Sequence, residues 1–187
     1  MRVLGISGSL RSGSLNSALL RAAAERLPAG AELVEFERLR EVPPYDEDVE
    51  LAGTPTVVEE LRRAVREADA VLIATPEYNR SIPGQLKNAL DWVSRPAGKS
   101  ALNGKPAAVI GASTGMFGAV WAQAELRKVL GALGGRAIQT DLPVGHAKEQ
   151  LHGDHLELHP EQATQLESIL AELISEAELE SELAVAA

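Results

Sequence analysis

Cysteine is absent from all 187 residues. Disulfide scaffolds, thiolate nucleophiles and thiolate metal centres are excluded with it. Aromatic side chains are scarce, with two each of Trp, Tyr and Phe. No apolar run is long enough to span a bilayer. Basic residues are outnumbered, 18 Lys and Arg against 27 Asp and Glu, for a formal net charge of -9. Nucleic-acid binding is driven by neutralising phosphates with Lys and Arg, so this balance argues against it. The opening segment, Met1 to Ser7, has one basic residue and a very short apolar run. It reads as a first strand rather than a secretory signal. These shortages predict a cytoplasmic protein, one domain over residues 1–187, with neither nucleic acid nor membrane as partner.

What is present is an alternation. Short apolar runs at Val3–Ile6, Leu33–Phe36, Ala70–Ala74, Ala107–Gly111 and, more weakly, Arg136–Ile138 have the look of buried parallel strands. Helical stripes lie between them. Leu15, Leu19, Ala23 and Leu27 form the first, closed by Pro28. Val57, Leu61, Val65 and Ala68 form the second, with Thr56 and Glu59 spaced for a capping box. Ile82, Leu86, Leu90 and Val93 form the third, with Pro83 in its first turn. Ala122, Leu126, Val129, Leu130 and Leu133 form the fourth, ending at Gly134-Gly135. A last helix follows Pro160, and its acidic end at Ser175–Leu183 reads as a solvated face or a partner contact. The pattern predicts an α/β three-layer sandwich of flavodoxin-like type, with a five-stranded parallel sheet of order 2-1-3-4-5.

In such a sheet, ligands bind beyond the carboxyl ends of the strands. Three loops fall there. The first, Gly8 to Asn16, offers Gly8 and Gly13 for tight turns and short polar side chains at Ser9, Ser12, Ser14 and Asn16. Arg11 adds a planar cationic fork, and the helix opening at Leu15 adds free N–H groups and a positive dipole end. Hydroxyls, amides and one cation suit a phosphate monoester. The loop lacks the Gly-Lys-Ser/Thr of a Walker motif and is not a full Gly-x-Gly-x-x-Gly. The second loop, Thr75 to Gly84, is stiffened by Pro76 and Pro83 and carries Glu77, Tyr78, Asn79 and Arg80. Tyr78 is placed to pack near a ring, and Asn79 to donate and accept. The third, Gly111 to Gly118, has small residues, with Ser113 and the amide of Gly115 as contacts for a heterocycle. Alone, the second and third loops read equally as ordinary turns.

At these loops the chain resembles the NADPH-dependent FMN reductase family, which includes quinone reductases, chromate reductases and flavin azoreductases. The likeness rests on Gly-Ser-Leu-Arg-x-Gly-Ser-x-Asn at Gly8–Asn16 and on Pro-Glu-Tyr-Asn at Pro76–Asn79. Pro-Gly-x-Leu-Lys-Asn-Ala-Leu-Asp-Trp, ending at Trp92, and the Ser-x-Gly turn at Ser113 complete it. The resemblance implies bound FMN and electron transfer from NADPH or NADH to a small-molecule acceptor such as a quinone. It implies phosphate contacts at Ser9, Arg11, Ser14 and Asn16, with Leu15 beside them. Ring contacts are implied at Pro76, Glu77, Tyr78, Asn79, Ser113 and Gly115. It also implies a homodimer or homotetramer. Arg80 stands where some relatives carry an aromatic residue, and Trp121 where many carry a basic one.

The expected activity is an FMN-dependent NAD(P)H oxidoreductase with ping-pong kinetics and no catalytic side chain, since the cofactor performs the redox chemistry. An electron carrier or FMN-binding regulatory module is the alternative, although carriers usually flank the flavin with aromatics. A Rossmann-type NAD domain, with Glu35 or Glu37 holding ribose, is disfavoured by the incomplete glycine fingerprint. Arg80 reads either as a surface cation or as a group steering NADPH phosphate or an anionic acceptor. His146, His152, His155 and His159, with Asp154 and Glu157, are expected to form a polar loop rather than a metal site. Tyr45–Asp48 is likewise expected to be a surface or subunit-contact loop.

Overall fold

Short apolar runs become parallel strands here because helices cover both of their faces. The computed structural model describes residues 1–186, with side chains through residue 182. The central strands are β1 (Arg2–Ser7), β2 (Glu32–Glu35), β3 (Ala70–Ala74), β4 (Pro106–Ala112) and β5 (Arg136–Ala137). They pair in the expected order, β2-β1-β3-β4-β5, and every neighbouring pair is parallel. Helices α1 (Leu15–Ala24) and α6 (Pro160–Ala186) cover one face; α3 (Thr56–Glu67), α4 (Gly84–Val93) and α5 (Val120–Ala132) cover the other. On the first face, Leu19 of α1 packs with Leu166, Ile169, Leu170 and Leu173 of α6. On the second, Leu61 and Val65 of α3 pack with Leu86, Leu90 and Leu126.

The structure departs from sequence expectation in several places. The fifth strand is broken. After β5 the chain leaves the sheet, then rejoins β4 through a second short strand, β6 (Pro143–Val144), at Gly111 and Ala112. Helix α1 stops at Ala24, three residues short of Leu27. The capping box at Thr56 does not form. Pro55 occupies the N-cap and Thr56 is already helical. Glu59 instead accepts from Arg62, which is buried and also donates to Trp92 O and Thr54 Oγ1. Pro83 is the N-cap of α4 rather than part of its first turn. Tyr45–Asp48 is no plain loop: Asp46 accepts from Asp48 N and starts the short helix α2 (Glu47–Ala52).

The histidine stretch also has more order than a polar loop. Strands β7 (Leu151–His152) and β8 (His155–Leu156) form an antiparallel hairpin through Gly153-Asp154, where Gly153 takes a left-handed φ of 63°. Leu156 is fully buried beneath it, and Arg21 of α1 donates to Asp154 O at 2.9 Å. Among the described residues, no group of three or more His, Asp or Glu side chains is placed to hold a metal. No helix among them is long and apolar enough to cross a membrane.

Candidate functional site

The carboxyl ends of β1, β3 and β4 bring the three unusual loops together. Ser7 pairs with Ala74 across β1 and β3, and Ala74 with Ile110 across β3 and β4. Each loop therefore leaves the sheet at the same level. Ser9, Arg11, Leu15 and Asn16 of the first, Pro76, Glu77 and Tyr78 of the second, and Ser113 of the third line one cleft of about 120 Å³. Two larger depressions, of about 660 and 440 Å³, open on either side of the first loop, and Arg11 lines both. Together they offer the space that small-molecule sites require.

The first loop is built as an anion cradle. Ser14 is the N-cap of α1, and its hydroxyl accepts from the amides of Asn16 and Ser17 at 3.2 and 3.1 Å. Among the described residues, the amides of Ser12, Gly13, Ser14 and Leu15 donate to no group of the chain. Orphan donors of that kind at a helix N-terminus attract negative charge. Ser12 and Gly13 are exposed, and a side chain at Gly13 would meet open space. Arg11 is exposed and folds back over the loop, its Nη2 donating to Gly13 O at 2.9 Å. The donor set fits a phosphate monoester dianion: free amides, hydroxyls and one guanidinium.

Asn16 lines the cleft and also carries a structural task that its motif position does not announce. It is buried, and its amide group bonds both backbone groups of one residue across the cleft. Nδ2 donates to Ala112 O at 3.0 Å, and Oδ1 accepts from Ala112 N at 2.9 Å. The first loop is thereby locked to the root of the third. Leu15 is buried beside it and lines the cleft.

The second loop is a tight hairpin-like turn. Tyr78 N donates to Ser81 O at 2.9 Å and Ser81 N to Tyr78 O at 3.1 Å. Asn79 and Arg80 between them both adopt left-handed φ, 53° and 63°. Two-residue turns of this shape favour Asn and Gly, so Arg80 holds its place against a backbone preference. Glu77 is half-buried. Its carboxylate accepts from the amides of Trp121 and Ala122 at 3.1 and 3.2 Å, capping α5 from another loop. Ser81 is occupied in the turn and caps no helix.

The third loop is held from outside by β6. Ser113 N donates to Val144 O at 3.0 Å, and His146 N donates to Gly115 O at 3.0 Å. The Ser113 hydroxyl donates to Gly115 O at 3.1 Å. Gly118 must be glycine. Its φ is 54°, and a Cβ there would sit 2.3 Å from the backbone of Pro143.

Sequence reasoning missed two contributors. Gln123 is fully buried, donating to Gly118 O and Leu142 O and accepting from Leu142 N. It pins the third loop to the broken fifth strand, and its signal was a polar residue inside an apolar helical stripe. Arg40 lines both larger depressions with Arg11, and no motif marked it. Glu35, at the end of β2, borders the 440 Å³ depression. Burial, and then the neighbouring Glu37 carboxylate, raise its pKa above the ordinary carboxylate value.

Comparison with known proteins agrees with this arrangement. Residues 1–149 match the family described as NADPH-dependent FMN reductase. An NAD(P)H-dependent FMN reductase of Pseudomonas aeruginosa is 52% identical over 130 residues, covering 70% of this chain and 69% of that protein. A quinone reductase of Escherichia coli K12 is 41% identical over 131 residues, covering 70% and 69%. The solved structure of FerB, a flavoenzyme NAD(P)H:acceptor oxidoreductase of Paracoccus denitrificans, superposes with a TM-score of 0.83. It is 34% identical and covers 96% of this chain and 98% of that one.

Proposed function

The chain belongs to the NADPH-dependent FMN reductase family, and from that premise we propose that it passes electrons from NADPH or NADH to quinone-type acceptors through FMN seated on the three loops. The observation that carries this reading is the cleft at β1, β3 and β4, where Ser9, Arg11, Leu15 and Asn16 of the first loop meet residues of the other two, next to the unpaired amides at the start of α1. FMN held there would supply the redox chemistry, the two-electron relay between a nicotinamide and an acceptor.

The protein supplies position and charge. The amides of Ser12 to Leu15, the hydroxyls of Ser9 and Ser12 and the dipole of α1 hold the phosphate, and Arg11 neutralises it. Ser14 and Asn16 work indirectly: one fixes the helix start, the other fixes the distance between loops. Pro76, Tyr78 and Asn79 of the second loop and Ser113 and Gly115 of the third would border the flavin ring system. Glu77 keeps the second loop in register with α5. No side chain is required as general acid or base. Nicotinamide and acceptor use the opening in turn, which gives ping-pong kinetics.

The same reading includes a single cytoplasmic domain that assembles as a homodimer or homotetramer. Exposed Val49 and Leu51 on α2, and Leu179 on α6, supply apolar surface for a second copy to cover. The purified protein is expected to be yellow, to lose that colour with NADPH and to regain it on adding a quinone. Initial rates with both substrates varied should give parallel double-reciprocal lines. A colourless protein that takes up no added FMN contradicts the proposal. FMN that is bound but never oxidises a nicotinamide supports the electron-carrier reading in its place.

A further inference from the structure

One side of the site carries side chains that neither the fold nor the cofactor reading uses. Met116, Phe117 and Trp121 are exposed large apolar residues that follow one another from the third loop into the start of α5, and the second loop brings Arg80 beside them. Phe117 and Trp121 pack edge to face, with ring centroids 4.9 Å apart. The Arg80 guanidinium lies over the Trp121 ring, 5.2 Å from its centroid.

This arrangement is held in place from three directions. The Tyr78–Ser81 turn closes with two backbone hydrogen bonds and keeps Arg80 in a left-handed conformation that its side chain does not favour. Glu77 ties the amides of Trp121 and Ala122 to the same loop. Gly118, pressed against Pro143, fixes the approach of Phe117 to α5. Strain of that kind persists at positions where the surrounding structure imposes it, and such positions cluster at sites of ligand contact.

The chemistry of the rim is specific. The Arg80 guanidinium, 5.2 Å from the Trp121 ring centroid, brings a planar fork of N–H donors beside the aromatic pair. Aromatic faces beside it favour a flat conjugated partner over a tetrahedral phosphate, which calls for donors from several directions. The nearest carboxylate in sequence, Glu77, is committed to the helix amides. Arg127, further along α5, is paired with Asp141. Arg80 is therefore the cation this rim presents.

We propose that Arg80, laid on Trp121, selects planar conjugated acceptors that carry a negative charge, with ionised hydroxyquinones as the class that fits. The inference rests on the reading of the site as an FMN-dependent quinone reductase. Trp121 acts as a positioning residue, holding the guanidinium at the rim.

The test uses the FMN-loaded protein and two quinones of one ring size. 2-Hydroxy-1,4-naphthoquinone is ionised at neutral pH, and 2-methyl-1,4-naphthoquinone is neutral. Native protein is expected to favour the ionised quinone in kcat/KM. Arg80→Gln should lower the ratio of the two kcat/KM values about tenfold, the loss of one charge-assisted contact. Arg80→Lys, which keeps the charge but not the planar fork, should restore part of it. Trp121→Leu should lower the ratio about threefold, and Trp121→Phe should restore it. Binding is read independently of turnover by quenching of the exposed Trp121 fluorescence in the native and Arg80→Gln proteins. The ionised quinone should bind more tightly to the native protein, and the preference should shrink with added salt.

A ratio unchanged by Arg80→Gln, or a native protein that reduces both quinones with no preference, overturns the inference and leaves the flavin reading standing. A native protein that binds no FMN removes the reading beneath it, and the inference falls with it.

Discussion

The two ends of the cleft are built in opposite ways. At the first loop, polar side chains are buried and spent: Ser14 caps α1, and Asn16 bonds both backbone groups of Ala112. At the far rim, apolar and cationic side chains are exposed and lean on one another, as Arg80, Trp121 and Phe117 do. Buried polar groups tolerate no loss of partner, because an unpaired donor or acceptor costs its full desolvation. Exposed aromatics cost the fold little when removed. The first end should therefore report changes through stability and cofactor affinity, and the rim through acceptor choice.

Asn16→Ala tests the contrast most severely. It leaves Ala112 N and Ala112 O without their partner in a buried setting, at a cost of about 2–3 kcal/mol. For a chain of this size the melting temperature should fall by roughly 5–10 °C, as read by calorimetry. A drop of a degree or less would mean that the loop-to-loop bond is ornamental.

Arg11→Ala should separate binding from folding. Arg11 is exposed and donates within its own loop. Its removal should leave the FMN-free melting temperature unchanged and weaken FMN affinity about tenfold. Unchanged affinity in a fluorescence titration would mean that the cation serves something other than phosphate.

Glu35→Gln is a smaller test, on the edge of the same end. Burial and Glu37 raise the Glu35 pKa in the folded state. A raised carboxyl binds its proton more tightly folded than unfolded. Its contribution to stability is complete below the ordinary value of 4.5 and is lost as pH climbs through the folded value. The glutamine variant should thus melt higher than native at neutral pH, and the gap should close below pH 4.5. A gap independent of pH would point to packing instead. Phe117→Ser, at the rim, should change melting by the least of all, within about 0.5 kcal/mol.

The amount legible in the sequence differs between these ends for a physical reason. The strands and the first loop follow from local composition: apolar runs, small residues and a helix start; the strand order follows from crossover handedness and size rather than from any residue. The N-cap at Ser14 belongs to that local code. The role of Asn16 does not, because its partner lies 96 positions away. That Glu77, beside its place in the cleft, caps α5 was likewise hidden, again through a distant pairing. The broken fifth strand was beyond reach as well. Its second half, Pro143–Val144, is two residues long and owes its place to Gln123 and Leu142 rather than to its own propensity. The strained turn at Asn79-Arg80 shows no local signal, since Arg is not a residue that turn chemistry selects.

The central claim is that Gly8 to Asn16 holds the phosphate of FMN. Riboflavin differs from FMN by that phosphate alone, so the ratio of their dissociation constants on the native protein tests it directly. FMN should bind at least about a hundredfold more tightly than riboflavin, roughly 2.7 kcal/mol in favour of the phosphate. Equal affinities for the two flavins would contradict the account.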